Sequence, residues 1–183
     1  EPVVVTATRI PEPMGAALRD LTVIYADALR EAGVVDIADA LRLVPGVELS
    51  QIGPGATPSI FIRGANSNQT LILIDGQRVG SSFSGLSALQ HLNIDQIERI
   101  EVLRGPAASL YGADAVGGVI QIFTRRDRSL ALRIAAGEWQ SSQIGVNAGL
   151  GNTDNGISIS VNQNRSRGYN AIVNPGDYSY NPD

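Results

Sequence analysis

Beyond Arg125-Arg126-Asp127-Arg128 the chain alternates with a period of two. Leu130, Leu132, Ile134 and Ala136 share one face of an extended segment, Ile144, Val146, Ala148 and Leu150 one face of the next, and Ile157, Ile159 and Val161 one face of a third. Only a strand keeps such a pattern on one side, because successive Cβ atoms there point to opposite faces while a helix repeats about every 3.6 residues. The other faces carry Arg133, Gln143, Gly145, Asn147, Gly149, Ser158, Ser160 and Asn162. This part of the chain is therefore predicted as antiparallel strands, with a tight turn at Gly151-Asn152-Thr153-Asp154-Asn155-Gly156 and Trp139 in the other connection. Each segment approaches the roughly 9–11 residues of a tilted membrane-crossing strand, and apolar-out, polar-in is the pattern of a barrel in lipid. A soluble sheet with one wet face has the same alternation, so these segments alone leave both readings open.

At the other end, Val3-Val4-Val5-Thr6-Ala7 is an apolar, β-branched run. It favours an extended backbone. The following Thr8-Arg9-Ile10-Pro11-Glu12-Pro13 is too polar and proline-interrupted to return as a central strand partner. The valines are thus expected to be available for β-augmentation, in which backbone groups pair with another protein's open sheet edge. An N-terminal strand completing its own sheet is the alternative.

Composition narrows the function. A net charge of −4 offers no basic field for nucleic acid. Cysteine is absent, which rules out disulfides and thiolate metal sites. His91 is the lone histidine, so the usual base and thiol nucleophile are nearly exhausted and no enzyme is expected. The stretch from Gly112 to Gly118 lacks the spacing and the basic residue of a phosphate-binding loop. No run reaches the roughly 20 apolar residues of a spanning helix. With no cationic segment leading into an apolar one, the chain reads as starting at a mature N-terminus.

Between these ends the pattern is that of an α+β domain with short helices on a small mixed sheet. Residues 21–25 read as a strand and 26–32 as a helix stopped by Gly33. A second helix starts at Asp36 as N-cap, carries Ile37, Ala40, Leu41 and Val44 at helical spacing, and ends at Pro45-Gly46. Strands are expected near 47–49, 59–63, 70–74, 98–104 and 119–124, with a helical turn from Pro106 to Tyr111. The continuous apolar run Thr70-Leu71-Ile72-Leu73-Ile74 marks a strand buried on both faces, closed by the turn pair Asp75-Gly76. Residues 51–58 and 79–89 read as loops, the second mobile rather than packed.

Six strings then occur in order: Val3-Val4-Val5-Thr6-Ala7, Val44-Pro45-Gly46-Val47, Ile60-Phe61-Ile62-Arg63-Gly64, Leu73-Ile74-Asp75-Gly76, Ile100-Glu101-Val102-Leu103-Arg104-Gly105-Pro106, and Tyr111-Gly112-Ala113-Asp114-Ala115-Val116-Gly117-Gly118-Val119-Ile120. Together they resemble the plug domain of the TonB-dependent outer-membrane transporters, and the alternating remainder resembles the start of that family's barrel. The resemblance implies a coupling segment and linker at 1–10, a plug at 11–126, and about three barrel strands with an extracellular loop at 127–183. Within the family the likeness is nearest to the cobalamin transporters, through the short N-terminus, the string from Ser59 to Asn66 and the order of loop lengths. Siderophore or haem uptake is the alternative, because substrate choice lies largely in barrel loops. From another class, a soluble periplasmic binding or signalling module competes.

The resemblance also implies roles. Val3, Val4, Val5, Thr6 and Ala7 would be captured by the C-terminal domain of TonB, energised with ExbB and ExbD. Gln51, Ile52, Gly53, Pro54, Gly55, Ala56 and Thr57, with Val79, Gly80, Ser81, Ser82, Phe83, Ser84, Gly85 and Leu86, would form the apical loops touching cobalamin or an iron chelate. Arg63 and Arg104 would pair with barrel glutamates that this chain does not contain. The plug itself implies no cofactor. Calcium belongs to the long extracellular loop of cobalamin transporters, where Asp177 and Asp183 are suitable donors, although Asn170 stands where an aspartate would. Two carboxylates and an amide fall short of the roughly 6–8 oxygens calcium takes. The implied location is the outer membrane of a Gram-negative bacterium, with the plug inside the barrel and its N-terminus facing the periplasm. Three strands cannot close a barrel, so disorder, collapse or strand exchange between copies is expected after about residue 128.

Overall fold

The computed structural model describes residues 3–6, 8–13, 20–34, 36–52, 56–81, 84, 86–89, 92–125, 130–137, 141–151 and 156–165. The chain divides into two compact units, Glu1–Arg125 and Arg126–Asp183.

The first unit is built on a five-stranded mixed sheet. Its strands are β3 (Leu21–Tyr25), β6 (Thr70–Ile74), β7 (Gln77–Arg78), β8 (Ile97–Arg104) and β9 (Gly118–Thr124), in the order β3-β8-β9-β6-β7. Only β6 and β9 run parallel, with Thr70 opposite Gly118 and Ile74 opposite Ile122. A hairpin of β4 (Val47–Ser50) and β5 (Ser59–Ile62) stands as its own two-stranded sheet, and β1 (Val3–Val4) pairs antiparallel with β2 (Glu12–Pro13).

Apolar residues cover both faces of the sheet. On one side Ile72, Ile100, Val102, Ile120 and Ile122 pack with Leu29, Ile37 and Leu41 from the helices α1 (Ala26–Glu31) and α2 (Ile37–Arg42), and with Ile60 and Ile62 of the hairpin. On the other side Leu71, Leu73, Leu103 and Val119 pack with Ala107 and Ala115 around α3 (Ala108–Tyr111). The unbroken apolar run of β6 thus follows from its place between two strands and two layers. Ile100 and Ile122 are wholly buried, and truncating either to alanine is worth about 2–5 kcal/mol.

Local signals set the ends of several elements. Asp36 caps α2 by accepting the backbone N–H of Asp39 at 2.7 Å, a contribution of about 1 kcal/mol. Asp75 and Gly76, with φ of 47° and 80°, make the two-residue turn between β6 and β7, a conformation that glycine adopts freely and aspartate tolerates. At Gly118 a Cβ would lie 2.3 Å from the carbonyl oxygen of Leu103, so β8 and β9 approach to a distance only glycine allows.

The described residues between 79 and 89 differ from the expected unpacked loop. Ser87 and Leu89 are buried and Val79 packs against the main core. The backbone N–H of Val79 extends the sheet to the carbonyl of Ile72 at 3.0 Å, so both flanks of the loop are held by the sheet and core.

The second unit is a meander of β10 (Ala131–Gly137), β11 (Ser141–Gly151) and β12 (Gly156–Arg165), all antiparallel. In register, Leu132 lies opposite Val146 and Val146 opposite Val161, while Arg133 lies opposite Gly145 and Gly145 opposite Asn162. Leu132, Ile134, Ile144, Val146, Leu150, Ile157, Ile159 and Val161 form an exposed apolar face. The expected collapse or disorder is therefore not what these described strands show. Ladders on both sides satisfy the backbone of β11, and β10 and β12 each pair with it along one edge, even where the apolar face is left open. Among the described residues no helix is long and apolar enough to cross a membrane, which says nothing about strands.

Candidate functional site

The N-terminal segment is not free. Val4 and Thr6 are fully buried, and β1 is continued by a bend that places it against the second face of the sheet. The anchor is Glu101, a wholly buried carboxylate on β8. Its Oε2 accepts the backbone N–H of Val5 at 3.0 Å and that of Thr6 at 2.8 Å, while its Oε1 accepts Arg99 Nε at 2.9 Å. Arg99 in turn lies over the ring of Phe123, its guanidinium carbon 3.8 Å from the ring centre. A buried charge with three charge-assisted donors is held rather than stranded.

Further contacts close the clasp. Thr6 Oγ1 donates to Gln121 Oε1 at 3.3 Å, and Tyr111 Oη donates to the carbonyl of Thr6 at 3.0 Å. Arg9, at φ 63°, donates its backbone N–H to Val5 at 2.8 Å and its Nη1 to the carbonyl of Leu110 at 3.0 Å, with its guanidinium above Tyr111. The reading of residues 3–7 as an unclaimed strand is thus corrected for the described ones. Prolines exclude residues 11–13 from a central strand, yet a two-residue ladder at an edge needs no donor from Pro13, and the left-handed turn at Arg9 brings it back. Val3 enters through its backbone pairing, and Ala7 lies outside the described residues.

Arg63 and Arg104 come together. Both reach Asp20: Arg63 through Nη2, and Arg104 through Nη2 and through Nε at 3.1 Å. Arg104 Nη1 also donates to the carbonyl of Pro45 at 3.0 Å. The hydrogen bond from Arg104, then the nearby positive charges of Arg104 and Arg63, hold the Asp20 carboxyl below its ordinary value. Within this chain, then, the two guanidiniums share an aspartate of their own domain.

Of the first expected loop, Gln51 Nε2 donates to the carbonyl of Ala56 at 2.7 Å and Gln51 Oε1 accepts from Arg42 at 3.1 Å, bracing the stem. Ile52 stands fully exposed, and Thr57 is half-buried. Gly53, Pro54 and Gly55 lie outside the described residues. In the second loop Ser81 donates its backbone N–H to Leu86 at 3.0 Å, and Ser67 Oγ donates to the carbonyl of Ser84 at 3.1 Å. A Cβ at Gly80 would lie 2.2 Å from Ser87 Oγ, so the loop stem is tightly closed there. Ser82, Phe83 and Gly85 are not described, nor are Asp177 and Asp183. Among the described residues no three His, Cys, Asp or Glu side chains converge as a metal site.

Sequence reasoning missed Glu101, Gln121, Tyr111 and Asp20. One signal was present: Glu101 lies between two buried apolar residues and shares its face of β8 with Leu103, so it had to be buried, and Arg99 two positions away is its partner.

The model of the TonB-dependent receptor plug domain matches residues 16–119. Over 128 residues the chain is 44% identical to the vitamin B12 transporter BtuB of Vibrio vulnificus strain CMCP6, covering 69% of this chain and 21% of that protein. It is similar in structure to the siderophore receptor PiuA of Acinetobacter baumannii, 26% identical with a TM-score of 0.69, over 89% of this chain and 23% of that one. The siderophore receptor PirA of the same bacterium is 28% identical with a TM-score of 0.64, over 85% and 26%. The chain spans about a fifth of the length of the curated relatives it matches.

Proposed function

The chain belongs to the family of TonB-dependent receptor plug domains, and from that premise we propose that it is the plug and first barrel strands of an outer-membrane active transporter for cobalamin. The observation that carries the substrate is the 44% identity to a vitamin B12 transporter, against 26% and 28% for the siderophore receptors PiuA and PirA. In this reading residues 3–7 are drawn off the plug and captured as a strand by the C-terminal domain of TonB, itself driven by ExbB and ExbD. Backbone pairing suits such a handle, because it transmits a pull without tight side-chain recognition. Residues 51–57 and 79–86 meet the substrate from the outer side. The exposed Ile52 and the glycine-rich segments around it suit a large ligand with an apolar surface. The apolar face of β10, β11 and β12 supports a lipid-facing wall.

The test is uptake by a complete receptor carrying this sequence, offered cobalamin, ferric siderophores and haem in turn. Cobalamin uptake that needs TonB supports the proposal, while uptake of an iron chelate alone transfers the site to the siderophore class. Titration of the chain with a TonB C-terminal domain addresses the partner. Equal binding by the chain and by a deletion of residues 3–7 would defeat the coupling role.

A further inference from the structure

The antiparallel ladder of β4 and β5 ends at the pair Ser50 and Ser59. Beyond it the two sides of the loop are joined by a side chain, Gln51 Nε2 donating to the carbonyl of Ala56 at 2.7 Å. The other half of the same amide is taken as well, its Oε1 accepting from Arg42 Nη2 at 3.1 Å. A guanidinium only donates and a carbonyl only accepts, so the side chain between them must offer an acceptor to one and a donor to the other, as an amide does and a carboxylate does not. Arg42 is itself held. It is the last residue of α2, its Nη1 is paired with Asp39, and Ile37, Ala40 and Leu41 of that helix are wholly buried in the main core. The relay therefore runs from a packed helix through Arg42 and Gln51 to the far side of the loop.

We propose that Arg42 and Gln51 are positioning residues of the first substrate loop, holding it closed before the ligand arrives rather than touching the ligand. The role in ligand capture rests on the proposed function; the brace itself does not. The bond between the two side chains is solvent-exposed, where such contacts add little to the stability of a fold. Order is where they count. The bridged segment contains Gly53, Pro54 and Gly55, and two glycines in so short a stretch leave it many conformations to lose on binding. A brace that removes them beforehand raises the fraction of receptors ready for ligand, and the apparent affinity rises with that fraction. Gln51 thus differs from its neighbour Ile52. The first turns both ends of its amide to the protein, and the second stands fully exposed.

The chain has no cysteine, so a single Ile52→Cys carrying a nitroxide reports the mobility of the loop beside the brace. In the chain in mild detergent, adding Arg42→Ala or Gln51→Leu is expected to shorten the correlation time of the label about twofold, with the circular dichroism spectrum unchanged. Gln51→Glu keeps the acceptor for Arg42 and loses the donor to Ala56, and is expected to loosen the loop as Gln51→Leu does. Arg42→Lys retains a donor and is expected to stay near the parent. Label spectra equal to the parent's in Arg42→Ala and Gln51→Leu overturn the brace. For ligand capture, the same substitutions without the label are placed in a complete receptor carrying this sequence, with cobalamin as the probe. Association is expected to slow about fivefold with dissociation unchanged, because the bound loop is the same once formed. Arg42→Ala combined with Gln51→Leu is expected to be no slower than Gln51→Leu alone, since the arginine acts through the amide. Faster dissociation with unchanged association makes Gln51 a ligand contact and overturns the positioning role, as does unchanged cobalamin binding on a loosened loop. A parent receptor that binds no cobalamin overturns the proposed substrate and leaves the brace, read by the label, standing.

Discussion

Asp75 holds Thr124 twice, its Oδ1 accepting the backbone N–H at 3.0 Å and its Oδ2 accepting the hydroxyl. The same aspartate donates its own N–H to Ile122 at 2.9 Å, so the left-handed turn after β6 is fastened to the end of β9. Asp75→Ala removes both acceptors and puts a Cβ-bearing residue without a local hydrogen bond at φ 47°. A loss of about 2–3 kcal/mol is expected in urea unfolding. Asp75→Asn keeps an acceptor and the tolerance for that conformation, and is expected to lose less than half as much.

Asp20 couples the stability of the plug to acid. Its carboxyl is lowered in the folded state by Arg104 first and Arg63 second. A depressed folded value means that the contribution is fully present above the unfolded value near 3.8 and is lost as the pH falls through the lower folded one. Melting temperature measured from pH 6 downward should therefore fall on an acid limb that Asp20→Asn flattens. Identical limbs for parent and variant would show that the shared aspartate contributes nothing to folding.

Gly118 leaves no room for a methyl group. Its φ of 157° and the Leu103 carbonyl 2.3 Å from an added Cβ leave β8 no room to remain paired with β9. Gly118→Ala is expected to cost more than about 2 kcal/mol, read as a large drop in melting temperature or in folded yield. Gly64→Ala, where an added Cβ meets nothing within 4 Å, suffers only the backbone strain and serves as the comparison.

Ile52 separates folding from ligand contact. Being fully exposed, it contributes little to stability, and Ile52→Asn should leave the melting curve unchanged within about 0.5 kcal/mol. In a complete receptor the same change is expected to weaken cobalamin binding several-fold, measured by isothermal titration. Unaltered binding would remove this residue from the substrate surface.

What the sequence disclosed was local. The cap at Asp36, the turn at Asp75-Gly76, the doubly buried β6 and the alternating faces of β10 to β12 each depend on residues within a few positions of one another. The contacts that define the site do not. Val5 and Glu101 are 96 positions apart, and Arg104 finds Asp20 across 84, distances over which no periodicity carries information. Val5 looked unclaimed because its N–H is taken by a carboxylate on a distant strand, and the neighbours of Glu101 signal that it is buried without saying which backbone it holds.

The order β3-β8-β9-β6-β7 gives the domain a preferred sequence of disassembly. After the short β1–β2 ladder, the next strand reached from the amino end is β3, which borders a single neighbour, β8. Traction from that end unthreads the outermost ribbon first, and the four interior and far-side ribbons keep every bond they make among themselves.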